Sequence, residues 1–152
     1  MQRKNYRKKI TFPDGSRLRI GVAVSEYNAD ITERMLQGAL QTLHACKVKP
    51  GRIHILRVPG AFEVPFACRA LIKKKCHAVV ALGCIIKGET SHDIYIATAV
   101  SRGIMDLSLR HGVPIGFGIL TPNNFAQAKA RAMGRSNKGA EAALAAVKMA
   151  LL

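Results

Sequence analysis

ALGCIIKGETSH, residues 81–92, runs from an apolar stretch into a short polar loop and stops at a histidine. With the residues ahead of it, Ala78–Gly83 has the length and composition of a strand buried on both faces, as in a parallel sheet. Ligands of such sheets bind beyond the carboxyl ends of the strands, where loop N–H groups and the start of the next helix both favour an anion. Gly88, Glu89, Thr90 and His92 all fall in that place.

Working outward, Pro13-Asp14-Gly15 reads as a turn and Leu18–Val24 as a first strand. Ile31, Met35, Leu36, Ala39, Leu40 and Leu43 recur with helical period, and Asp30 followed by Glu33 reads as a capping-box start. Pro50-Gly51 breaks the chain before a strand at Ile53–Val58, and Ala61–Lys75 reads as a helix that tolerates Pro65 near its start. Downstream, Ile94–Leu109 has helical spacing and His111-Gly112 a stop signal, and Pro114–Leu120 is a fourth strand. Phe125–Met133 and Gly139–Leu152 are Ala-rich and helical, with Asn137 or a neighbour placed to cap the second. Strands alternating with helices imply right-handed crossovers, hence a doubly wound three-layer α/β/α sandwich around a central four-stranded parallel sheet.

Composition bounds the function. The chain has 152 residues, 49% of them apolar, enough for one real core. Residues 1–16 read as a basic tail and residues 17–152 as a single domain. Apolar runs are strand-sized, far short of the roughly 20 residues of a membrane span. The start, MQRKNYRKKI, lacks the apolar centre of a secretory signal, so a cytoplasmic protein is expected. Cys46, Cys68, Cys76 and Cys84 form no CxxC pair and the histidines show no ligand spacing, so reduced thiols are expected and a metal is not. Lys and Arg total 24 against 9 acidic residues, a formal charge of +15 that calls for anionic partners or serves solubility and steering. Arg3, Lys4, Arg7, Lys8 and Lys9 cluster in the tail and Lys73–Lys75 end a helix, without aromatic interleaving. A solvated basic surface is therefore the leading reading, with nucleic acid held only nonspecifically at low salt.

Each strand is followed by a distinctive loop: Ser25-Glu26-Tyr27-Asn28, Pro59–Glu63, Cys84–His92, and Thr121-Pro122-Asn123-Asn124. A parallel sheet puts all four at one end, so they are expected to line one crevice with an aromatic face, a carboxylate, an anion cradle and an imidazole.

VPGAFEVP (58–65), ALGCIIKGETSH (81–92), FGILT (117–121), QAKAR (127–131) and NKGAEAAL (137–144) resemble, in order, the motifs of the 6,7-dimethyl-8-ribityllumazine synthase family. The resemblance covers nearly all the chain from Arg19 and implies a flavodoxin-like fold. It also implies condensation of 5-amino-6-(D-ribitylamino)uracil with 3,4-dihydroxy-2-butanone 4-phosphate, the penultimate step of riboflavin biosynthesis, with release of phosphate and water. The steps it implies are imine formation, phosphate elimination, tautomerisation, ring closure and dehydration, with no cofactor. Partners implied are small-molecule substrates and further copies of the chain, as a homopentamer or a sixty-subunit icosahedral shell with sites at subunit interfaces.

By the same resemblance, His92 matches the proton-transfer histidine; an imidazole of ordinary pKa near 6.5 both gives and takes protons at neutral pH. Gly88, Glu89 and Thr90 match the phosphate loop, acting through backbone N–H groups and the Thr hydroxyl. Arg131 matches the phosphate-holding arginine, and Lys138 is a weaker candidate for the same work. Tyr27 takes the place of the aromatic residue that stacks on the pyrimidine, and Ala61, Phe62 and Glu63 that of the segment along the ribityl chain. Cys84, Ile85 and Ile86 would offer backbone groups to the uracil edge, and Phe117 would come from a neighbouring subunit. Taken singly, His92 reads first as a surface histidine at a helix start and Arg131 as a solvated helix charge, and Phe117 reads nearly as well as a core strand residue.

Departures are local. Where the family usually has an aromatic residue and then an acid after the histidine, this chain has Asp93 and Ile94, and Lys87 replaces an arginine before the loop glycine. Those changes motivate an alternative: a catalytically weakened member that serves as a ligand-binding, cargo-binding or RNA-binding assembly protein.

Overall fold

The computed structural model describes residues 9–152; Arg3, Lys4, Arg7 and Lys8 of the basic tail lie outside them. Four strands, β1 (Ile20–Ser25), β2 (Ile53–Val58), β3 (Ala78–Cys84) and β4 (Ile115–Leu120), form one parallel sheet in the order β2-β1-β3-β4. Five α-helices flank it: α1 (Ala29–Ala45), α2 (Val64–Lys73), α3 (His92–His111), α4 (Phe125–Arg131) and α5 (Lys138–Ala150). Every residue of β1 and β3 is buried, as the apolar runs of the sequence require of central strands, whereas β2 and β4 expose part of their length at the edges.

Two apolar layers fill the sandwich. On one face, Ile20, Val22, Val24, Val80 and Leu82 pack with Met35, Leu36 and Leu43 of α1 and Ala143 and Val147 of α5. On the other, Ala23, Val79 and Ala81 pack with Val64 and Leu71 of α2 and Val100 and Ile104 of α3. The first layer is unusually close. A Cβ on Gly139 would stand 2.1 Å from the Met35 carbonyl oxygen, and one on Gly116 as near to that of Ala142. Only glycine lets α5 approach both α1 and β4 so tightly.

Several boundaries move for physical reasons. Leu18 lies outside β1 because its N–H closes a turn on the Gly15 carbonyl. The capping box expected at Asp30 and Glu33 does not form: α1 begins after Asn28, whose backbone is left-handed at φ 59°, and Glu33 pairs instead with Arg57 of β2. The helix read as Ala61–Lys75 splits into a 3₁₀ turn, Ala61–Glu63, and α2, with Pro65 in the first turn, where its missing N–H costs nothing. α3 starts two residues before Ile94, at His92 itself, and stops at Gly112 with φ 63°. α4 ends at Arg131, short of Met133. Asn137 caps α5 as expected, accepting from the Ala140 N–H at 3.1 Å.

Candidate active site

The loops after β1, β2 and β3 leave the sheet together and wall a cleft of about 940 Å³. Tyr27 and Asn28 come from the first, Gly60, Ala61, Phe62 and Glu63 from the second, and Cys84, Ile85, Ile86, Gly88 and Thr90 from the third. The first turns of α3 add His92, Asp93, Tyr95 and Ile96.

Backbone bonds hold these loops in mutual register. The Glu26 N–H donates to Val58 O at 2.8 Å and the Tyr27 N–H to Pro59 O at 2.9 Å, so the β1–β2 pairing continues past the strands. Asn28 Nδ2 donates to Cys84 O at 2.9 Å, tying the first loop to the third. Tyr27 is 73% exposed above this fixed backbone, so stacking a flat heterocycle on its ring requires little further ordering. Glu63 Oε2 accepts the Gly60 N–H at 3.0 Å, which occupies one carboxylate oxygen with capping. Burial pushes the Cys84 thiol up to about 11, so at neutral pH it is an uncharged wall group rather than a nucleophile.

His92 is the first residue of α3, where unpaired N–H groups and the helix dipole favour an anion. Its N–H donates to Thr90 Oγ1 at 3.4 Å, a bond that folds the loop back toward the helix start. At Gly88 a Cβ would meet no protein atom within 4 Å, so nothing in the fold itself demands a glycine there. Glu89 is exposed and does not line the cleft. Asp93 does, with one carboxylate oxygen buried and accepting no hydrogen bond from the described residues.

The fourth loop goes elsewhere. Thr121, Pro122 and Asn123 line a second cavity of about 480 Å³ with Phe117, Gln127, Arg131 and Lys138. Between the two cavities, the Ile85 N–H donates to Leu120 O at 2.8 Å and the Lys87 N–H to Pro122 O at 3.0 Å. One chain thus places His92 in one cavity and Arg131 in another, and the single crevice expected from the sequence is two. The cause is topological: β4 is an edge strand, and α4 carries Arg131 off beyond it. Arg131 Nη1 meanwhile donates to Gln127 O at 3.1 Å, Lys138 pairs with Glu141 at 2.8 Å, and Phe117 is half exposed.

Residues 17–152 match the family described as 6,7-dimethyl-8-ribityllumazine synthase. The chain belongs to that family. The enzyme of that name from Parabacteroides distasonis is 45% identical over 139 residues, covering 90% of this chain and 87% of the relative. Those from Porphyromonas gingivalis and Pyrococcus furiosus are each 44% identical, covering 91% of this chain and 87% of the relative. The chain is accordingly a transferase of riboflavin biosynthesis.

For a lumazine synthase the cleft holds more than its motifs named. Tyr95 and Ile96 were legible as the residues three and four positions after His92, which a helix brings to the same face. Asn28 and Gly60 stood in the quoted loops without a role, and nothing in the sequence links Asn28 to Cys84. Gln127 joins Arg131 by the same helical spacing.

Proposed function

We propose that the two cavities are halves of one lumazine synthase active site, each completed by the facing half of a second copy. The observation that carries this is the partition itself. The cavity with the imidazole and the stacking ring has neither Arg131 nor Lys138, and the cavity with those cations has no imidazole.

In this reading 5-amino-6-(D-ribitylamino)uracil lies on Tyr27, with its ribityl chain along Ala61, Phe62 and Glu63 and its ring edge at the backbone of Cys84, Ile85 and Ile86. Phe117 of the facing copy covers its other side. The phosphate of 3,4-dihydroxy-2-butanone 4-phosphate rests on the N–H groups of Gly88 to Thr90 and on Arg131 of the facing copy, with Lys138 nearby. Glu89 contributes its backbone alone, since its carboxylate would repel the anion. His92 takes and returns the protons of imine formation, phosphate elimination and ring closure. A guanidinium fork on the departing phosphate and an imidazole at the reacting carbons divide the work between electrostatics and proton transfer.

Large apolar side chains left exposed on α2, α3 and β4, among them Phe66, Leu109 and Phe117, support assembly into a pentamer or a larger shell. We assign residues 17–152 to one domain with residues 1–16 as a basic extension. Among the described residues no helix is long and apolar enough to cross a membrane, and a cytoplasmic location is part of the proposal.

Mixed assembly tests the reading. His92→Ala chains and Arg131→Ala chains, each deficient alone, should regain lumazine formation when dissociated and reassembled together, because some interfaces then join two intact halves. Mixtures no more active than either parent would refute it.

A further inference from the structure

The two ends of the sheet carry charge very differently. Toward the carboxyl ends of the strands, across both cavities and the helices beside them, Glu26, Asp30, Glu33, Glu63, Glu89, Asp93 and Glu141 are matched in number by Arg34, Arg57, Lys87, Lys129, Arg131, Arg135 and Lys138. At the amino ends of the strands there is no such balance. Arg17 and Arg19 lead into β1, Lys47, Lys49 and Arg52 into β2, Lys73, Lys74 and Lys75 into β3, and Arg110 into β4, while Lys148 stands at the end of α5. Asp14 is the acidic side chain in these connecting segments, held ionised below the usual carboxylate range by Ser16, with help from Lys47 and Arg17, and Asp106 stands exposed one turn before Arg110 on α3. The excess charge on the described residues is therefore not a device for drawing anionic substrates, because the substrate end is neutral.

The cations form one connected surface. Arg52 Nη1 donates to Arg17 O at 2.6 Å and Arg19 Nη1 to Lys74 O at 3.2 Å, which knits together the segments entering β1, β2 and β3. Lys47, Lys49, Lys73, Lys74, Lys75, Arg110 and Lys148 are exposed around them. Helices α1, α2, α3 and α5 end here, but each helix terminus presents only about half a negative charge, roughly two in all. The cations outnumber that several-fold, so capping the helix dipoles does not account for them.

We propose that this end of the sheet binds single-stranded nucleic acid through its phosphates, alongside catalysis. The helices meet the surface end-on, so none lies along it in the way that would enter a duplex groove or float on a membrane. Lysines on separate turns suit a flexible backbone, and Phe12, half exposed in the segment leading to Asp14, supplies a ring on which a base stacks.

The test is the anisotropy of a labelled oligouridine strand titrated with the assembled full-length protein across a salt series. Combining Lys47→Gln, Lys49→Gln, Lys74→Gln and Lys75→Gln should weaken binding at least about tenfold near 0.1 M salt and flatten the log–log salt slope by about 0.7 for each phosphate no longer neutralised. Lumazine formation and melting temperature should stay unchanged, and Lys129→Gln with Arg135→Gln at the cleft end should leave binding intact. Equal loss from both variants overturns the proposal. So does full loss on deleting residues 2–8 with none from the fourfold variant, or tighter binding to duplex or to anionic vesicles.

Discussion

The cleft end and the opposite end of the sheet are built from the same strands, yet one is chemically mixed and the other of one sign. At the cleft, carboxylates, cations, an imidazole and aromatic rings alternate within a few residues, and hydrogen bonds hold each loop to the next. At the far end, short turns carry cations that are largely free of carboxylate partners. A reacting centre needs unlike groups held in register, whereas a surface for phosphates needs only density of one charge.

Separating the two functions by mutation is the sharpest way to break that comparison. His92→Ala should lower kcat by about 10²–10⁴, the usual contribution of a positioned acid–base group, and leave oligouridine binding untouched. Loss of both together, measured by steady-state rates and anisotropy, would mean that the ends are not independent.

The thiols report the same contrast. Cys84 at the cleft and Cys76 at the far end are each 3% exposed, so access is equal. Burial raises both, but Arg19 and Lys74 pull Cys76 back, while Cys84 goes to about 11 unopposed. At mildly alkaline pH the Cys84 thiolate is roughly a hundredfold scarcer than that of an ordinary cysteine. Iodoacetamide mapping should find Cys76 alkylated first, with Lys74→Gln narrowing the gap.

A smaller effect is expected at Asn28. Asn28→Ala loses the bond to Cys84 O and strains a left-handed backbone, together about 2 kcal/mol, whereas Asn28→Gly loses the bond alone. Chemical denaturation of the two variants should separate by about 1 kcal/mol, and the KM for the pyrimidine should rise in both. Least of all, Arg57→Ala should cost below about 1 kcal/mol by the same measurement, since its pairing with Glu33 is exposed to solvent.

Much of this was readable along the chain. The alternation of apolar runs and helical periods led directly to a four-stranded parallel sheet, because burial on both faces leaves a strand almost no polar position, Ser25 at the end of β1 aside. Site residues near one another in the chain, such as Thr90 and His92, were legible together. Boundaries decided by distant partners were not: Glu33 reads as a cap until Arg57 arrives from β2, and Asn28 reads as a loop residue until Cys84 O is beside it.

The sequence by itself determined the layers, the order of elements and the end at which each loop emerges, because periodicity and chain direction are local properties. Tertiary structure alone decided that His92 and Arg131 open into separate cavities and that most surplus cations of the described residues gather at one end. Both outcomes depend on which strand lies at the edge and where each turn is carried in space, and no stretch of chain encodes that in isolation.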